Sequence, residues 1–239
     1  MTIIVTGASK GVGLEIVRRL SYEKIRTITI SRSITEELKS LANKNRDLVK
    51  IIDFDLSETS KIPELFKKKI GFDIEIHGLI NNAAIAYDDI VTNADHKRLQ
   101  AMYQVNTFSP IILTKYAIRH MLLHSIKGSI THISSISAHT GYKGLSMYAS
   151  TKGALEAFSK NTAREWGPKG IRSNCIVPGF METAMSSSLD SDQKDRIYRR
   201  TSLKKPTSVE SVASTCLFLL SEHASSITGQ NIHVDCGTI

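Results

Sequence analysis

Cysteine is scarce in this chain, and long hydrophobic runs are missing from it. The three cysteines, Cys175, Cys216 and Cys236, are odd in number and lack C-x-x-C spacing, so the sequence predicts neither a disulfide framework nor a zinc site. No apolar stretch reaches the roughly 18 residues that a membrane-spanning helix needs. A strand-like run begins at Thr2 and leaves no room for a signal peptide, which predicts a cytoplasmic protein.

The composition is that of a globular protein with a surplus of basic residues. The 239 residues include 41% hydrophobic and 23% charged side chains, which fits one large α/β domain, and no linker marks a second. A net charge of +8 favours acidic partners such as phosphates, acidic proteins or nucleic acid. The basic residues are scattered, with short clusters such as those at 67–69, 199–200 and 204–205, and no nucleic-acid module lies beside these. We therefore expect solvated surfaces, with no nucleic-acid or membrane partner.

The N-terminal residues predict a strand, a glycine-rich turn and a helix. A β-branched run covers residues 2–6, and apolar residues recur with helical spacing from Leu14 to Leu20. Such a turn lets the backbone approach a pyrophosphate closely, and the helix N-terminus offers it free N–H groups. A simple tight turn is the alternative. The residues of this proposed cofactor loop are Gly7, Ser9, Lys10, Gly11, Val12 and Gly13.

The residues after the second predicted strand indicate which nucleotide binds. The strand covers residues 27–30 and is followed by Arg32, at the position where a dinucleotide fold contacts the adenosine ribose. An acidic residue there would bind a free 2′-hydroxyl, whereas an arginine pairs with a 2′-phosphate. Arg32, with Lys10 in the glycine loop, predicts that NADP(H) is preferred over NAD(H). A surface arginine without a ligand is the alternative.

Tyr148 and Lys152 lie four residues apart, on one face of a helix if the segment is helical. A nearby cation favours the phenolate and lowers the pKa of a tyrosine, so the pair predicts a general acid/base. Taken alone, the spacing also fits an ordinary solvated helix face. We find no hydrolase or metal-ligand pattern that competes with it, and we expect no bound metal.

Together, the T-G-x-x-x-G-x-G turn and the Y-x-x-x-K pair resemble the classical short-chain dehydrogenase/reductase family. The resemblance extends from Thr2 to Asp235. It implies a single α/β domain over residues 1–239, with a Rossmann-like, doubly wound parallel sheet of about seven strands and helices on both faces. It also implies a homotetramer or homodimer, in which the helix predicted from Lys97 to His124 packs against its twin.

The resemblance also assigns site residues. The implied catalytic residues are Asn106, Ser135, Tyr148 and Lys152, with Ser135 thirteen residues before the tyrosine. The cofactor contacts implied beyond the loop and Arg32 are Asp55, Leu56, Asn82, Ala83, Tyr148, Lys152, Pro178, Gly179 and Thr183. Two positions depart from the family pattern. Ala84 occupies a position where family members usually have glycine, and Cys236 occupies another position where they often have glycine.

The implied reaction is reversible hydride transfer between NADP(H) and a carbonyl or alcohol carbon. Ser135 and Tyr148 would hydrogen-bond the substrate oxygen, and Tyr148 would donate its proton. Lys152 would lower the pKa of the phenol and bind the nicotinamide ribose, while Asn106 would hold a water that replaces the proton. Residues 181–206 are polar and irregular, and they are interpreted as a substrate lid containing a short helix.

Within the family, the chain looks most like the 3-oxoacyl-(acyl-carrier-protein) reductases of fatty acid biosynthesis. Relatives contact the acidic carrier through two arginines, where this chain has Lys127 and Lys169, and lysine keeps the charge but not the bidentate geometry. One alternative is an NADP-dependent reductase of another ketone, sugar or acyl-CoA. A second is a non-catalytic regulator that senses NADP, and a nucleic-acid binder is a third.

Overall fold

Seven parallel strands form one sheet in the computed structural model, which describes residues 1–183 and 190–238. The strand order across the sheet is β3-β2-β1-β4-β5-β6-β7, and every neighbouring pair is parallel. The strands are β1 (Thr2–Thr6), β2 (Arg26–Ser31), β3 (Val49–Asp53), β4 (Gly78–Asn81), β5 (Ser129–Ile133), β6 (Arg172–Pro178) and β7 (Asn231–Val234). The predicted sheet is confirmed.

Helices cover both faces of the sheet. They are α1 (Gly11–Tyr22), α2 (Glu36–Lys44), α3 (Ile62–Glu64), α4 (His96–Tyr103), α5 (Ser109–Leu123), α6 (Ser146–Trp166), α7 (Ser191–Arg200) and α8 (Val209–Leu220). Two π-helical segments extend this set, one following α3 over Leu65–Ile70 and one joining α4 to α5 over Gln104–Phe108. The short helix expected within residues 181–206 is α7, whereas positions 184–189 of that stretch lie outside the described residues.

Alternation along the strands divides the interior into two cores. In β1, Ile3 and Val5 face one layer, packed by α1 and α8, while Ile4 faces the other, packed by α5 and the segment around Phe66. All three β1 side chains are fully buried. A sheet covered on both faces explains why its strands read as continuous apolar runs.

The strand order reverses between β1 and β4, and open α/β sheets bind ligands at the carboxyl ends of the strands beside such a point. The glycine-rich turn after β1, Asn82 after β4, Ser135 after β5 and Gly179 after β6 all lie at this edge. The predicted site residues are therefore gathered by topology. Among the described residues, no helix is both long and apolar enough to cross a membrane.

Candidate active site

A hydroxyl, a phenol and an amine meet where β5 ends and α6 begins. Ser135 follows β5 and caps the short turn Ile136–Ala138, its Oγ accepting hydrogen bonds from the Ser137 N–H at 3.2 Å and from the Ser137 hydroxyl at 3.0 Å. The Ser135 hydroxyl is close enough to the phenol of Tyr148, in the first turn of α6, to lower the pKa of that phenol. The fold therefore brings these two predicted groups together, and their catalytic roles stay a prediction.

Lys152 lies one turn after Tyr148 on α6, and its side chain is almost wholly buried. Its Nζ donates a hydrogen bond to the Ile133 carbonyl oxygen at 2.8 Å and is 5.6 Å from the centroid of the Tyr148 ring. Burial lowers the pKa of Lys152 to about 8, because the interior disfavours the charged form. The ammonium is therefore aimed at the end of β5 rather than at the phenol.

The phenol of Tyr148 keeps its proton strongly. Desolvation raises the pKa of Tyr148 to about 12, the hydrogen bond from Ser135 opposes this, and the negative charge of Asp88 adds to the rise. The prediction that Lys152 lowers this pKa is wrong for the structure, because burial dominates and the ammonium donates to Ile133 instead. At neutral pH the group is a protonated phenol, the form that can donate.

Asp88 was not singled out from the sequence. It follows the apolar residue Tyr87 in the segment after β4, and desolvation raises its pKa while Arg98 opposes the rise. No spacing pattern links it to Tyr148, so only the fold reveals that the two groups interact.

Asn106 is wholly buried within the π-helical segment between α4 and α5. Its Oδ1 accepts from the Ile85 N–H at 2.9 Å, and its Nδ2 donates to the Ile85 carbonyl at 2.8 Å and to the Thr151 hydroxyl at 3.1 Å. The side chain therefore ties this helix to the segment after β4 and to α6. Since its amide is already engaged, a relay water would have to bind other atoms nearby; the relay role stays a prediction.

The glycine turn packs tightly against the end of β4. A Cβ on Gly7 would lie 2.7 Å from the Ala83 Cα, and one on Gly13 would lie 2.2 Å from the Gly7 carbonyl oxygen. Gly11 differs, since it has φ +57° and no atom within 4 Å of where its Cβ would be. The turn is thus compact on its inner side and open at the N-terminus of α1, where no side chain caps the helix.

Asn82 and Ala83 brace this turn from β4. The Asn82 Nδ2 donates to the carbonyl oxygens of Thr6 at 3.0 Å and Gly7 at 3.1 Å, and the Ala83 N–H donates to the Thr6 hydroxyl at 3.0 Å. The contacts hold the end of β4 against the turn that follows β1. These contacts leave the outer side of the turn available to a nucleotide.

Arg32 and Asp55 meet at the adenosine end of the predicted cofactor site. They follow β2 and β3 respectively, and the Arg32 Nη1 is 3.8 Å from the Asp55 Oδ2. Desolvation raises the pKa of Asp55, but hydrogen bonds from Ser57 and the charge of Arg32 outweigh it and lower the pKa overall. The side chain of Arg32 is 67% exposed, so its guanidinium has room for a second anionic partner.

Pro178 is the last residue of β6, the strand that pairs with β5, and Gly179 follows it. The Gly179 N–H donates to the Val234 carbonyl at 2.9 Å, and a Cβ on this glycine would lie 2.7 Å from the Asp235 Cα. This close approach explains the glycine. Thr183, the remaining predicted cofactor contact, is the last described residue before the gap at 184–189.

The sequence also contains two spacings that are typical of other chemistry, and the prediction from sequence did not take them into account. Residues 7–11 match the G-x-S-x-G pattern of hydrolases, and His120 and His124 are four residues apart. Within the described residues no histidine contacts the Ser9 hydroxyl. The two histidine rings are 6.4 Å apart, and no group of three metal-binding side chains occurs among the residues that the structure describes.

Comparison with known proteins agrees with this geometry. A family model described as Enoyl-(Acyl carrier protein) reductase matches residues 7–238. The chain is 33% identical over 240 residues to 3-oxoacyl-(acyl-carrier-protein) reductase FabG of Buchnera aphidicola subsp. Schizaphis graminum, covering 99% of this chain and 96% of the relative. It is 32% identical over 236 residues to Carbonyl reductase (NADPH) 2 of Sus scrofa, covering 98% and 94%.

A solved structure of 4-hydroxyisoleucine dehydrogenase complexed with NADH superposes with a TM-score of 0.93 at 25% identity, covering 99% of this chain and 98% of that one. The similarity spans both chains almost completely, so it includes the glycine turn, the catalytic strand and α6. The chain belongs to the short-chain dehydrogenase/reductase family of oxidoreductases.

Proposed function

We propose that the protein reduces a carbonyl to an alcohol with NADPH, in a reaction that is reversible. The observation that carries the proposal is the Ser135 hydroxyl beside a protonated Tyr148 phenol, at the sheet edge that also holds the glycine turn. The open N-terminus of α1 and the exposed guanidinium of Arg32 fit the phosphates of NADP(H). When bound, the nicotinamide supplies or accepts the hydride.

The protein's own groups orient the substrate and manage the proton. Ser135 and Tyr148 hydrogen-bond the carbonyl oxygen, and Tyr148 donates its proton as negative charge develops there. Lys152, whose ammonium donates to the Ile133 carbonyl at the end of β5, holds the cofactor ribose. The remaining nucleotide contacts proposed are the glycine turn, Asp55 and Leu56 at the adenine, and Pro178, Gly179 and Thr183 at the nicotinamide.

We propose a 3-oxoacyl thioester as the substrate class, because several of the most similar relatives are named for that reaction. The lysines expected to contact a carrier protein are neighbours: a Cβ on Gly170 would lie 2.7 Å from the Lys127 Cγ, and Lys169 precedes that glycine. They precede β5 and β6, at the sheet edge opposite Ser135. A carrier bound there would not face the active site of the same chain.

This position supports a second candidate, a reductase of a free ketone, sugar or acyl-CoA. Relatives named for a carbonyl and for L-xylulose are as similar as those named for carrier-linked substrates. We further propose a homotetramer or homodimer, since Phe108, Leu122 and Leu123 expose apolar side chains on the helical run from His96 to Leu123.

A substrate panel tests the proposal. Oxidation of NADPH and of NADH is followed with acetoacetyl acyl-carrier protein, acetoacetyl-coenzyme A, a cyclic ketone and xylulose. We expect NADPH to be oxidised faster than NADH, and the acetoacetyl thioesters to be reduced fastest. Faster reduction of the ketone or the sugar would favour the second candidate. Binding of NADPH without oxidation by any member of the panel would contradict both.

A further inference from the structure

A buried carboxylate lies behind the catalytic serine. Glu156 is on α6, eight residues after Tyr148 and four after Lys152, and is 9% exposed. Its carboxylate accepts a hydrogen bond from the Ser134 hydroxyl and another from the Asn231 amide at 2.7 Å. The His139 Nε2 lies 3.0 Å from one carboxylate oxygen and 2.9 Å from the other. No lysine or arginine pairs with it in the part of the chain that the structure describes.

The partners of Glu156 bracket Ser135. Ser134 immediately precedes it, while His139 follows the turn that Ser135 caps. Backbone hydrogen bonds close this turn, from the Ala138 N–H to the Ser135 carbonyl at 3.0 Å and from the His139 N–H to the Ile136 carbonyl at 2.9 Å. One carboxylate therefore holds both ends of the short segment that presents the Ser135 hydroxyl.

The same carboxylate joins three parts of the molecule. It is carried by the helix of Tyr148, it holds the end of the strand that precedes Ser135, and through Asn231 it reaches β7. The His139 ring is also fixed from its other side, since its centroid is 4.7 Å from that of His233 in an edge contact. The distance between the Ser135 hydroxyl and the Tyr148 phenol thus depends on Glu156, although Glu156 contacts neither group.

We infer that Glu156 is a positioning residue, which fixes Ser135 against Tyr148 by tying the 134–139 segment to α6. The inference rests on the proposed function of these two residues. All three partners donate hydrogen bonds, and an ionised carboxylate accepts without donating. A glutamine of the same size would turn an N–H toward at least one donor, so the segment would shift. A small misplacement of reacting groups lowers the rate strongly.

The first experiment compares Glu156→Gln with Glu165→Gln, a control on the exposed side of the same helix. Turnover of NADPH with the best substrate of the panel, and the Kd for NADPH, are measured for each. We expect Glu156→Gln to lower kcat about tenfold or more, with the Kd for NADPH within about twofold of the unaltered protein. Glu165→Gln should change neither. An unchanged kcat in a folded Glu156→Gln variant would overturn the inference.

The second experiment separates positioning from simple destabilisation. His139→Gln keeps a donor at a similar reach, whereas His139→Ala removes it. We expect the glutamine variant to retain most of the turnover and the alanine variant to lose about tenfold, at equal thermal stability. Equal kcat in the two variants would overturn the inference, and this pair decides the matter if Glu156→Gln does not fold. If Tyr148→Phe also leaves turnover unchanged, the proposed function itself fails.

Discussion

Burial changes the chemistry of two neighbouring side chains in opposite senses. It raises the pKa of the Tyr148 phenol to about 12 and lowers the pKa of the Lys152 ammonium to about 8. Both shifts have one cause, which is that the interior disfavours charge on either group. The phenol is therefore held ready to donate, while the amine is the group whose charge changes near physiological pH.

Lys152 gives the first prediction. Its folded pKa is lowered to about 8, so the amine is charged well below that pH, half charged near it and neutral well above it. If the ammonium holds the cofactor, the affinity for NADPH should be constant well below pH 8, begin to fall near pH 8 and then fall by up to about tenfold per pH unit. Fluorescence titration between pH 6 and about 9.5 measures this. The Lys152→Met variant should show weaker, pH-independent binding; an unchanged pH dependence in it would assign the effect elsewhere.

Arg32 gives the second prediction. Arg32→Asp replaces a partner of the 2′-phosphate with a group that repels it and that accepts from a free 2′-hydroxyl. We expect the affinity for NADPH to fall about tenfold or more and the affinity for NADH to rise. Arg26→Asp makes the same charge change at the opposite end of β2 and serves as the control. A similar loss of NADPH affinity in both variants would indicate only a general charge effect.

Cys236 gives the third prediction, which concerns stability. Its φ is +57°, a conformation that costs a residue with a side chain about 1–2 kcal/mol. Among the described residues, its thiol contacts the Pro206 carbonyl at 3.5 Å and the Thr207 hydroxyl at 3.8 Å, and hydrogen bonds of a thiol are weak. We expect Cys236→Gly to raise the unfolding free energy by about 1 kcal/mol in urea denaturation. Cys216→Gly, within α8, should lower it; a loss of stability in both variants would contradict the strain.

At the scale of elements, Asn106 is one of the side chains that join the helical run from His96 to Leu123 to α6, and it also reaches the segment after β4. The π-helical segment Gln104–Phe108 carries Asn106 inward, where it satisfies both the N–H and the C=O of Ile85. Such a segment places one extra residue in a turn and is frequent at functional sites. The joint holds the helix, the segment after β4 and α6 in one arrangement.

Asn106→Ala provides the fourth prediction. It would leave the buried polar groups of Ile85 without their partner, so the unfolding free energy should fall by about 1–3 kcal/mol. Asn161→Ala is the matched control, because that amide is exposed and donates only to the Ala157 carbonyl of its own helix. Urea denaturation of the two variants measures the difference. An equal decrease in the unfolding free energy of both variants would contradict the role of Asn106 in holding these elements together.

Elements with a strong local signal could be predicted from the sequence. The apolar runs of the first two strands and the glycine turn agree with their predicted positions, because local pattern and burial act together there. The two π-helical segments could not be predicted, since one depends on contacts of Asn106 with a distant segment. The pKa of Tyr148 was predicted in the wrong direction for a similar reason: spacing gives a neighbour, but not the depth of burial.

At the scale of the whole molecule, the parallel sheet brings together groups that are far apart in sequence. Turns after β1, β4, β5 and β6 share one edge, so the nucleotide loop and the Ser135–Tyr148 pair are neighbours without any long-range sequence signal. The lysines at the opposite edge are separated from them by the length of the sheet. The residues proposed for catalysis and the lysines proposed for carrier contact therefore lie at opposite ends of the strands within one chain.

The Tyr148→Phe variant tests the central claim most directly. NADPH oxidation with the best carbonyl substrate and the Kd for NADPH are measured on the unaltered protein and on the variant, which differ by one hydroxyl. If the phenol is the proton donor, kcat should fall by about 10²-fold or more in the variant, while the Kd for NADPH should stay within about twofold. Turnover close to that of the unaltered protein would contradict the claim.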